Sequence, residues 1–391
     1  MPRWLETGQG IVQKSWINSG FHMSTFTPRN DLIERTLELA QKGWGTTHPN
    51  PMVGALIVEH GMVVAEGWHQ QAGGPHAEVA ALQDLGRKPE YGAEMYVSLE
   101  PCSSTGRTPP CTSAILNAGI KKVVVGAIDP DSRHAGHGLD LLREHGAEVV
   151  LAPPELGERA ARLNFIFNQY VITGRPLIAL KLATSANGMV AERAGYPCRV
   201  TGEAARADVM HWRRLFPAIC VGSGTVIADD PSLTARLPEG EWCPVRIIVD
   251  SSLDSLSQSF HPRRVYADQY KDRTIVLTNA RGMGNIEHVN RAQELGVRVI
   301  ELASGEDGRV SPPAIRQALV DLELCGLYCE GGPALARSML GAEEIDYVFH
   351  YQSNKTFSSH EALHGPDLKN LNIGHAIKQQ FTEDQLTHGF L

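Results

Sequence analysis

The chain has 391 residues, of which 42% are hydrophobic and 20% are charged. This length exceeds one ordinary domain, so we expect two globular α/β domains with sizeable cores. The net charge of −8 disfavours a nucleic-acid partner, because phosphate backbones bind basic surfaces. No run of about 18 apolar residues occurs, so we expect no membrane partner. Seven dispersed cysteines are typical of a reduced, cytoplasmic protein.

The N-terminal segment, residues 1–26, has little hydrophobic periodicity. It also lacks the apolar run that a signal peptide requires. Two interpretations stay open for this extension: a disordered tail, or translation that begins at Met23.

Residues 27–152 predict one domain. The patterns give a helix, a β-hairpin and then helix, strand, helix, strand, helix and strand, which is typical of a three-layer α/β/α unit. The turn before the hairpin places Asn50 between two prolines. Asn50 is either a plain turn residue or an amide held stiffly to contact the edge of a heterocycle, and the sequence alone favours neither.

One histidine and two cysteines in this domain form an ordered motif. His76 begins a His-x-Glu, Cys102 follows Glu100-Pro101, and Cys111 comes after eight further residues. These side chains can supply three ligands to a tetrahedral zinc ion and leave the fourth position open, as in a catalytic rather than a structural site. Zinc acidifies water, and Glu78 near a predicted helix start suits transfer of the proton to a leaving group. This pattern is the signature of zinc-dependent nucleobase deaminases.

Residues 153–175 predict a linker with one helix at 156–170, and residues 176–391 predict a second α/β domain. Its predicted strands are 177–182, 218–222, 245–250, 274–278, 297–301 and 327–330. Two loops after strands have the composition of ligand sites. The turn 330–333 contains two glycines before a helix, which suits a phosphate or a plain tight turn equally well. The loop 222–236 groups small residues, two carboxylates, threonine and arginine.

From about residue 28 to residue 340, the chain resembles the bifunctional deaminase/reductase family of riboflavin biosynthesis. In the first half the resemblance rests on the motifs at 45–54, 74–78, 100–102 and 106–111. The long gap between the cysteines is typical of this family, whereas cytidine, tRNA-adenosine and polynucleotide deaminases mostly carry Pro-Cys-x-x-Cys. In the second half it rests on 174–176, 180–182, 222–236 and 330–333.

The resemblance implies a cytidine-deaminase-like domain with one zinc ion and a dihydrofolate-reductase-like domain that uses NADPH. It implies that 2,5-diamino-6-ribosylamino-4(3H)-pyrimidinone 5′-phosphate first loses its ring amino group as ammonia. The ribosyl group of the product is then reduced to ribityl. A small phosphorylated pyrimidine is therefore the expected partner, and a homo-oligomer is the expected assembly.

Residue roles follow from the same motifs. The resemblance implies that zinc is bound by His76, Cys102 and Cys111, and that Glu78 moves the proton. It implies that NADPH is held by Thr184, Thr225, Asp229, Ser251, Gly331 and Gly332. It implies that substrate is held by Asn50, Arg107 and Thr108 in the first domain and by Lys181, Arg213, Leu233, Arg236 and Glu330 in the second. Lysine and arginine are the expected phosphate ligands.

The chain departs from the family pattern at several places. After Cys102 the family has Ser-His, and this chain has Ser103-Ser104. In the second half the departures are Asn187 and Met189 for an acid and a base, Arg199 for a tryptophan expected beside the nicotinamide, and 351–356 for a strand-and-turn motif.

Three hypotheses follow. The first is a two-activity enzyme, and the second is a deaminase whose C-terminal domain serves binding or assembly; loss of NADPH binding with retained deamination would favour the second. The third, a nucleic-acid base editor, is disfavoured by the acidic charge and by the long gap between the cysteines. The sequence does not separate NADPH from NADH, because no residue can be assigned to the 2′-phosphate.

Overall fold

The computed structural model describes residues 27–104, 109–193, 195–196, 198–257, 261–368 and 371–391. The chain divides into two compact units between Ile172 and Thr173. Both units mix helices with sheet, as the alternating patterns predict. Among the helices of the described ranges, none combines the length and the apolar character needed to cross a membrane.

The first unit is built on one five-stranded sheet. Its elements are α1 (Asn30–Gln41), β1 (Gly54–Glu59), β2 (Met62–Trp68), α2 (Ala77–Leu85), β3 (Glu94–Leu99), α3 (Cys111–Ala118), β4 (Lys122–Ala127), α4 (His137–Glu144), β5 (Glu148–Leu151), α5 (Pro154–Leu163) and α6 (Phe165–Thr173). The strand order is β2-β1-β3-β4-β5. β1 is antiparallel to β2 and β3, whereas β3, β4 and β5 are parallel.

Side chains of the central strands alternate between the two faces of this sheet. Ala55 and Ile57 of β1 pack in a cluster with residues of α2, α3 and α4. Leu56 and Val58 pack on the other side with residues of α1 and α5. Helices therefore cover both faces, and the predicted three-layer arrangement is confirmed.

The segment 153–175 forms two helices rather than the single helix predicted, so that prediction is wrong. Asn164 separates α5 from α6. Its side chain accepts a hydrogen bond from the Met52 amide at 2.8 Å and donates to the Met52 carbonyl at 2.9 Å. Since Leu156 of α5 also packs in the cluster under β1, these helices are part of the first unit.

The second unit is built on a nine-stranded sheet. Its elements are β6 (Leu177–Thr184), β7 (Met189–Ala191), α7 (Glu203–Leu215), β8 (Ala218–Gly222), α8 (Ser223–Asp229), β9 (Ala235–Leu237), β10 (Gly240–Trp242), β11 (Val245–Val249), α9 (Arg264–Ala267), β12 (Thr274–Thr278), α10 (Ala280–Met283), α11 (Ile286–Leu295), β13 (Arg298–Glu301), α12 (Pro312–Asp321), β14 (Gly326–Cys329), α13 (Pro333–Gly341), β15 (Tyr347–Ser353), β16 (Leu363–His364), β17 (Gly374–Gln380) and β18 (Asp384–Phe390). The order of the main sheet is β13-β12-β11-β8-β14-β6-β15-β18-β17.

Seven neighbouring strands of this sheet, from β13 to β15, are parallel, and β18 is antiparallel to both of its neighbours, β15 and β17. The carboxyl ends of the parallel strands therefore lie along one edge, where open α/β sheets bind ligands. The loops after β6, β8, β11 and β14 begin at this edge. The segments that follow β8, β11 and β14 contain the predicted cofactor and substrate residues Thr225, Asp229, Ser251, Glu330, Gly331 and Gly332.

The segment 351–356 lacks the family's strand-and-turn motif, but the sheet does not lose a strand there. Its first three residues belong to β15, which pairs in parallel with β6 and antiparallel with β18. Tyr347, Phe349 and Tyr351 of β15 are all buried. The strand therefore keeps its apolar side although the family's motif is absent.

Candidate active sites

His76, Cys102 and Cys111 meet at the ends of three elements of the first unit. His76 directly precedes α2, Cys102 follows β3, and Cys111 begins α3. The His76 Nδ1 atom lies 3.6 Å from the Cys102 Sγ and 3.3 Å from the Cys111 Sγ. One ligand atom from each residue lies within 4.8 Å of the others, so a single ion could contact all three.

This set of donors fits zinc. Within the described ranges, it is the one group of three or more possible ligands close enough to share an ion. The Cys111 amide donates a hydrogen bond to the Cys102 Sγ at 3.3 Å. Hydrogen bonding from Cys111 and the nearby His76 lower the pKa of the Cys102 thiol, which favours the thiolate that binds metal. Three protein ligands leave a fourth zinc position for water or substrate.

Glu78 lies in the first turn of α2, beside these ligands, and only 3% of its surface is exposed. Burial raises the pKa of its carboxyl group to about 7. A carboxyl group with this pKa can both accept and return a proton near neutral pH. The location and the pKa agree with the proton transfer that the motif predicts.

Asn50 is oriented by a buried histidine to which the sequence analysis gave no role. The Asn50 Nδ2 donates to the His69 Nε2 at 3.2 Å, and the His69 Nδ1 donates to the Pro75 carbonyl at 2.9 Å. Burial lowers the pKa of His69, which favours the neutral tautomer that these two contacts require. The His69 ring lies edge-on to the His76 ring at a centroid distance of 5.4 Å. In the sequence, the only signal for this role of His69 was its position shortly before the His76 motif.

Glu100 is a second residue that the sequence analysis left without a role. Its carboxylate accepts three backbone hydrogen bonds, from Asp129 at 3.1 Å, Gly136 at 2.9 Å and Gly138 at 2.9 Å. A Cβ atom on Gly138 would lie 2.2 Å from the Pro101 carbonyl, so the backbones approach too closely for any side chain. Glu100 therefore ties the segment that carries Cys102 to the loop 129–138.

Two predicted substrate residues, Arg107 and Thr108, lie outside the described residues.

In the second unit, Glu330 lies between two cations. Arg213 donates from Nε at 2.5 Å and from Nη2 at 3.0 Å, and the Lys181 Nζ lies 3.6 Å away. All three side chains are largely buried. Burial alone would raise the pKa of Glu330, but the charges of Arg213 and Lys181 lower it to about 2. Burial also lowers the pKa of Lys181.

The loop 231–236 is attached to this cluster. The Arg213 Nη1 donates to the Thr234 carbonyl at 3.0 Å. Leu233 is buried and has a φ of 55°, an unusual backbone conformation for leucine. Arg236 is exposed and donates from Nη1 to the hydroxyls of Ser232 at 2.8 Å and Thr234 at 3.2 Å. The structure thus connects the predicted substrate residues of the second unit in one place.

The predicted NADPH residues follow the carboxyl ends of four parallel strands. Thr184 ends β6, and its hydroxyl lies 2.8 Å from the His350 Nε2. Gly331 and Gly332 lie between β14 and α13, and a Cβ atom on Gly332 would lie 3.6 Å from the Thr225 hydroxyl. Ser251 follows β11, and its hydroxyl accepts a hydrogen bond from the Val310 amide at 2.9 Å. Asp229 is exposed at the end of α8.

The departures at Asn187 and Met189 have structural roles. The Asn187 Oδ1 accepts from the Ser185 hydroxyl at 2.7 Å and the Phe357 amide at 3.2 Å, and its Nδ2 donates to the Phe357 carbonyl at 2.8 Å. Met189 packs with Val200 and Phe357 in an apolar cluster. Arg199 is exposed, and its carbonyl accepts from the Lys355 Nζ at 3.3 Å. The turn after β6 is therefore built from the replacing residues.

Two family models match the chain. Residues 27–127 match the cytidine and deoxycytidylate deaminase zinc-binding region. Residues 176–366 match the RibD C-terminal domain. The two matches correspond to the two units of the structure.

Similar proteins cover most of the chain. The riboflavin biosynthesis protein RibD of Actinobacillus pleuropneumoniae is 37% identical over 361 residues, which are 90% of this chain and 92% of the relative. RibD of Aquifex aeolicus is 38% identical over 347 residues, 88% of this chain and 92% of the relative.

Two solved structures resemble the whole chain. The Thermotoga maritima diaminohydroxyphosphoribosylaminopyrimidine deaminase/5-amino-6-(5-phosphoribosylamino)uracil reductase matches with a TM-score of 0.76 and 33% identity, covering 92% of this chain and 97% of the other. Acinetobacter baumannii RibD matches with a TM-score of 0.74 and 31% identity, with the same coverage.

A deaminase domain with a zinc site, followed by a reductase domain, defines a bifunctional hydrolase and oxidoreductase. The chain belongs to the RibD family of riboflavin biosynthesis, with zinc and NADPH as cofactors. The predictions of family, fold class and two activities are confirmed. The alternative, a deaminase whose C-terminal domain serves only binding or assembly, is not favoured. A small phosphorylated pyrimidine as the substrate is consistent with this family.

Proposed function

We propose that this chain deaminates 2,5-diamino-6-ribosylamino-4(3H)-pyrimidinone 5′-phosphate in its first unit and reduces the ribosyl group of the product in its second. The convergence of His76, Cys102 and Cys111 beside the buried carboxyl group of Glu78 carries the first half of this proposal. The names of the similar Thermotoga protein state both reactions for that protein.

In the first step, the exocyclic C–N bond breaks and water supplies the oxygen that replaces nitrogen. Bound zinc, held by His76, Cys102 and Cys111, would lower the pKa of water and make it a nucleophile. Glu78 accepts a proton from that water and returns it to the departing amino group, which leaves as ammonia. Asn50, fixed by His69, binds the edge of the pyrimidine ring.

In the second step, bound NADPH would supply a hydride to C1′ of the sugar while the bond between C1′ and the ring oxygen breaks and the released oxygen gains a proton from water. Thr184, Thr225 and the Gly331-Gly332 turn hold the cofactor along the carboxyl edge of the sheet, with Asp229 and Ser251 further along that edge. The start of α13 after the two glycines suits a phosphate group.

The substrate binds beside the cofactor, against Leu233 and the Glu330 cluster. Arg213 directs its donors to Glu330 and Thr234, so it holds the site together. Arg236 is exposed and is therefore a better ligand than Arg213 for the substrate phosphate. Lys181 is buried against Glu330 and would orient the sugar.

Isotope labelling tests the proposal. In water labelled with heavy oxygen, the product should contain one labelled oxygen on the ring, and deuterated NADPH should place one deuterium on the sugar. Cytidine monophosphate, as a competing substrate, should release far less ammonia. Efficient deamination of cytidine monophosphate with no reaction of the diaminopyrimidinone would contradict the substrate assignment.

The homo-oligomer implied by the family resemblance is part of this proposal. Light scattering of the purified chain at several concentrations tests it. A mass of one chain at all concentrations would contradict it.

A further inference from the structure

Arg246 of β11 is the largest fully buried side chain among the described residues. β11 lies between β8 and β12 in the middle of the parallel sheet. A buried guanidinium is costly unless every charge and every N–H group is paired. A hydrophobic residue of similar volume would serve stability as well or better, so a buried arginine calls for another role.

All five N–H groups of Arg246 have acceptors. Two bonds go to the Asp268 carboxylate, at 2.6 and 2.8 Å. The Nε donates to the Thr274 hydroxyl at 2.9 Å, and the Nη2 donates to the Val265 carbonyl at 2.9 Å. The other four acceptors lie within residues 265–274. The fifth lies elsewhere in the chain, because the Nη1 donates to the Ser232 carbonyl at 3.1 Å.

That fifth acceptor belongs to the loop 231–236. The carbonyl of Ser232 directly precedes Leu233, whose φ of 55° is disfavoured for any residue that has a Cβ atom. The carbonyl of Thr234 on the other side of Leu233 is held by Arg213. The peptide group between Ser232 and Leu233 is therefore fixed by a guanidinium group in the core, and the peptide group that follows Thr234 is fixed by one in the site.

We propose that Arg246 is a positioning residue of the reductase, with Asp268 as its counterion. It holds the loop 231–236 in the conformation that places Leu233 and Arg236 against the substrate. The inference rests on the proposed function, because these residues bind substrate only within that proposal. We therefore expect the position of this loop to govern the affinity for substrate and to leave the affinity for NADPH largely unaffected.

Two variants test the inference in the full chain. Arg246→Met removes all five donors at similar volume, and Asp268→Asn keeps the arginine but removes its counterion. Glu294→Gln is the matched control, because Glu294 forms an exposed ion pair with Arg291 at 2.8 Å in the same unit. For each chain we would measure the KM for the deaminated substrate, the KM for NADPH, the thermal midpoint and the rate of ammonia release.

We expect the KM for the deaminated substrate to rise about 10-fold or more in Arg246→Met and by less in Asp268→Asn, since small displacements of binding groups have effects of up to about 100-fold. The KM for NADPH and ammonia release should stay near those of the parent chain. A purely structural role would lower the folded fraction and hence Vmax, but KM belongs to the folded molecules and would not change.

An unchanged substrate KM in the folded variants would overturn the inference. If Arg246→Met does not fold, the KM of Asp268→Asn decides. If the parent chain itself does not oxidise NADPH with the deaminated substrate, the proposed function fails, and this inference fails with it. An active parent chain with unaltered variants would leave the proposed function intact and remove only the role of Arg246.

Discussion

The His69 imidazole accepts a hydrogen bond from the Asn50 side chain while donating to the Pro75 carbonyl. This pair joins the turn before β1 to the segment that leads into His76. Asn50 could have been a plain turn residue on sequence alone. Its contact with a buried, neutral imidazole next to the zinc ligands favours the ligand-binding interpretation.

Replacing His69 by Phe should raise the KM of deamination about 5-fold, because Asn50 loses the acceptor that orients it and one hydrogen bond contributes about 1 kcal/mol. Zinc content should not change, since His69 is not a ligand. His145→Phe is the matched control, because His145 is an exposed histidine of the same unit. Steady-state ammonia assays and metal analysis measure both quantities, and an unchanged KM would contradict the role of His69.

Replacing Glu78 by Gln should slow ammonia release by roughly 10²- to 10⁴-fold, the usual contribution of a proton-transfer group. Zinc should remain bound, and NADPH oxidation with the deaminated substrate should continue at the parent rate because that step occurs in the other unit. Glu144→Gln, an exposed position of the first unit, serves as the control. Parent-like ammonia release by Glu78→Gln would exclude Glu78 as the proton carrier.

Replacing Cys102 or Cys111 by Ser should reduce bound zinc well below one ion per chain and abolish deamination. Serine lacks the thiolate that binds zinc at neutral pH. Cys198→Ser, a partly exposed cysteine of the second unit, should keep full zinc content. Atomic emission on the purified chains measures this, and retention of stoichiometric zinc by both serine variants would place the metal elsewhere.

The convergence of His76, Cys102 and Cys111 was predictable because each belongs to a short motif with a fixed residue type and spacing. His69 and Glu100 were not, because they act through hydrogen bonds to segments distant in the sequence. Glu100, for example, contacts backbone amides 29 to 38 residues further along the chain. Such contacts depend on how the strands are ordered, which a single sequence does not reveal.

The strand cores of both units were also predictable, since runs such as 123–127 and 274–278 consist of apolar or β-branched residues. The β17–β18 hairpin was missed because Gly374–Gln380 is mostly polar. The segment 351–356 also departs from the family's strand-and-turn motif. The strand persists because its apolar side depends on alternation rather than on that motif.

Acid should destabilise the second unit through Glu330. Its pKa of about 2 in the folded protein lies below its ordinary value of 4.5, so its stabilising effect is complete above pH 4.5 and is lost as pH falls toward 2. The total effect is on the order of 3 kcal/mol. Glu330→Gln should be less stable at neutral pH, because it leaves Arg213 and Lys181 without their partner, and its stability should fall less on acidification.

Hydrogen exchange of peptides from β14 and α7, followed between pH 5 and pH 3 and corrected for intrinsic exchange, measures this difference. Glu306→Gln, at an exposed turn, should behave like the parent chain. An equally steep loss of protection in Glu330→Gln would show that other groups govern the acid sensitivity.

The most direct test of the account mixes the purified chain with 2,5-diamino-6-ribosylamino-4(3H)-pyrimidinone 5′-phosphate, with and without NADPH, and follows ammonia and NADPH absorbance separately. We expect ammonia in both mixtures, and NADPH oxidation that lags behind ammonia release and reaches the same amount. Ammonia without NADPH oxidation would contradict the second activity. No ammonia from a chain with zinc bound would contradict the assigned substrate.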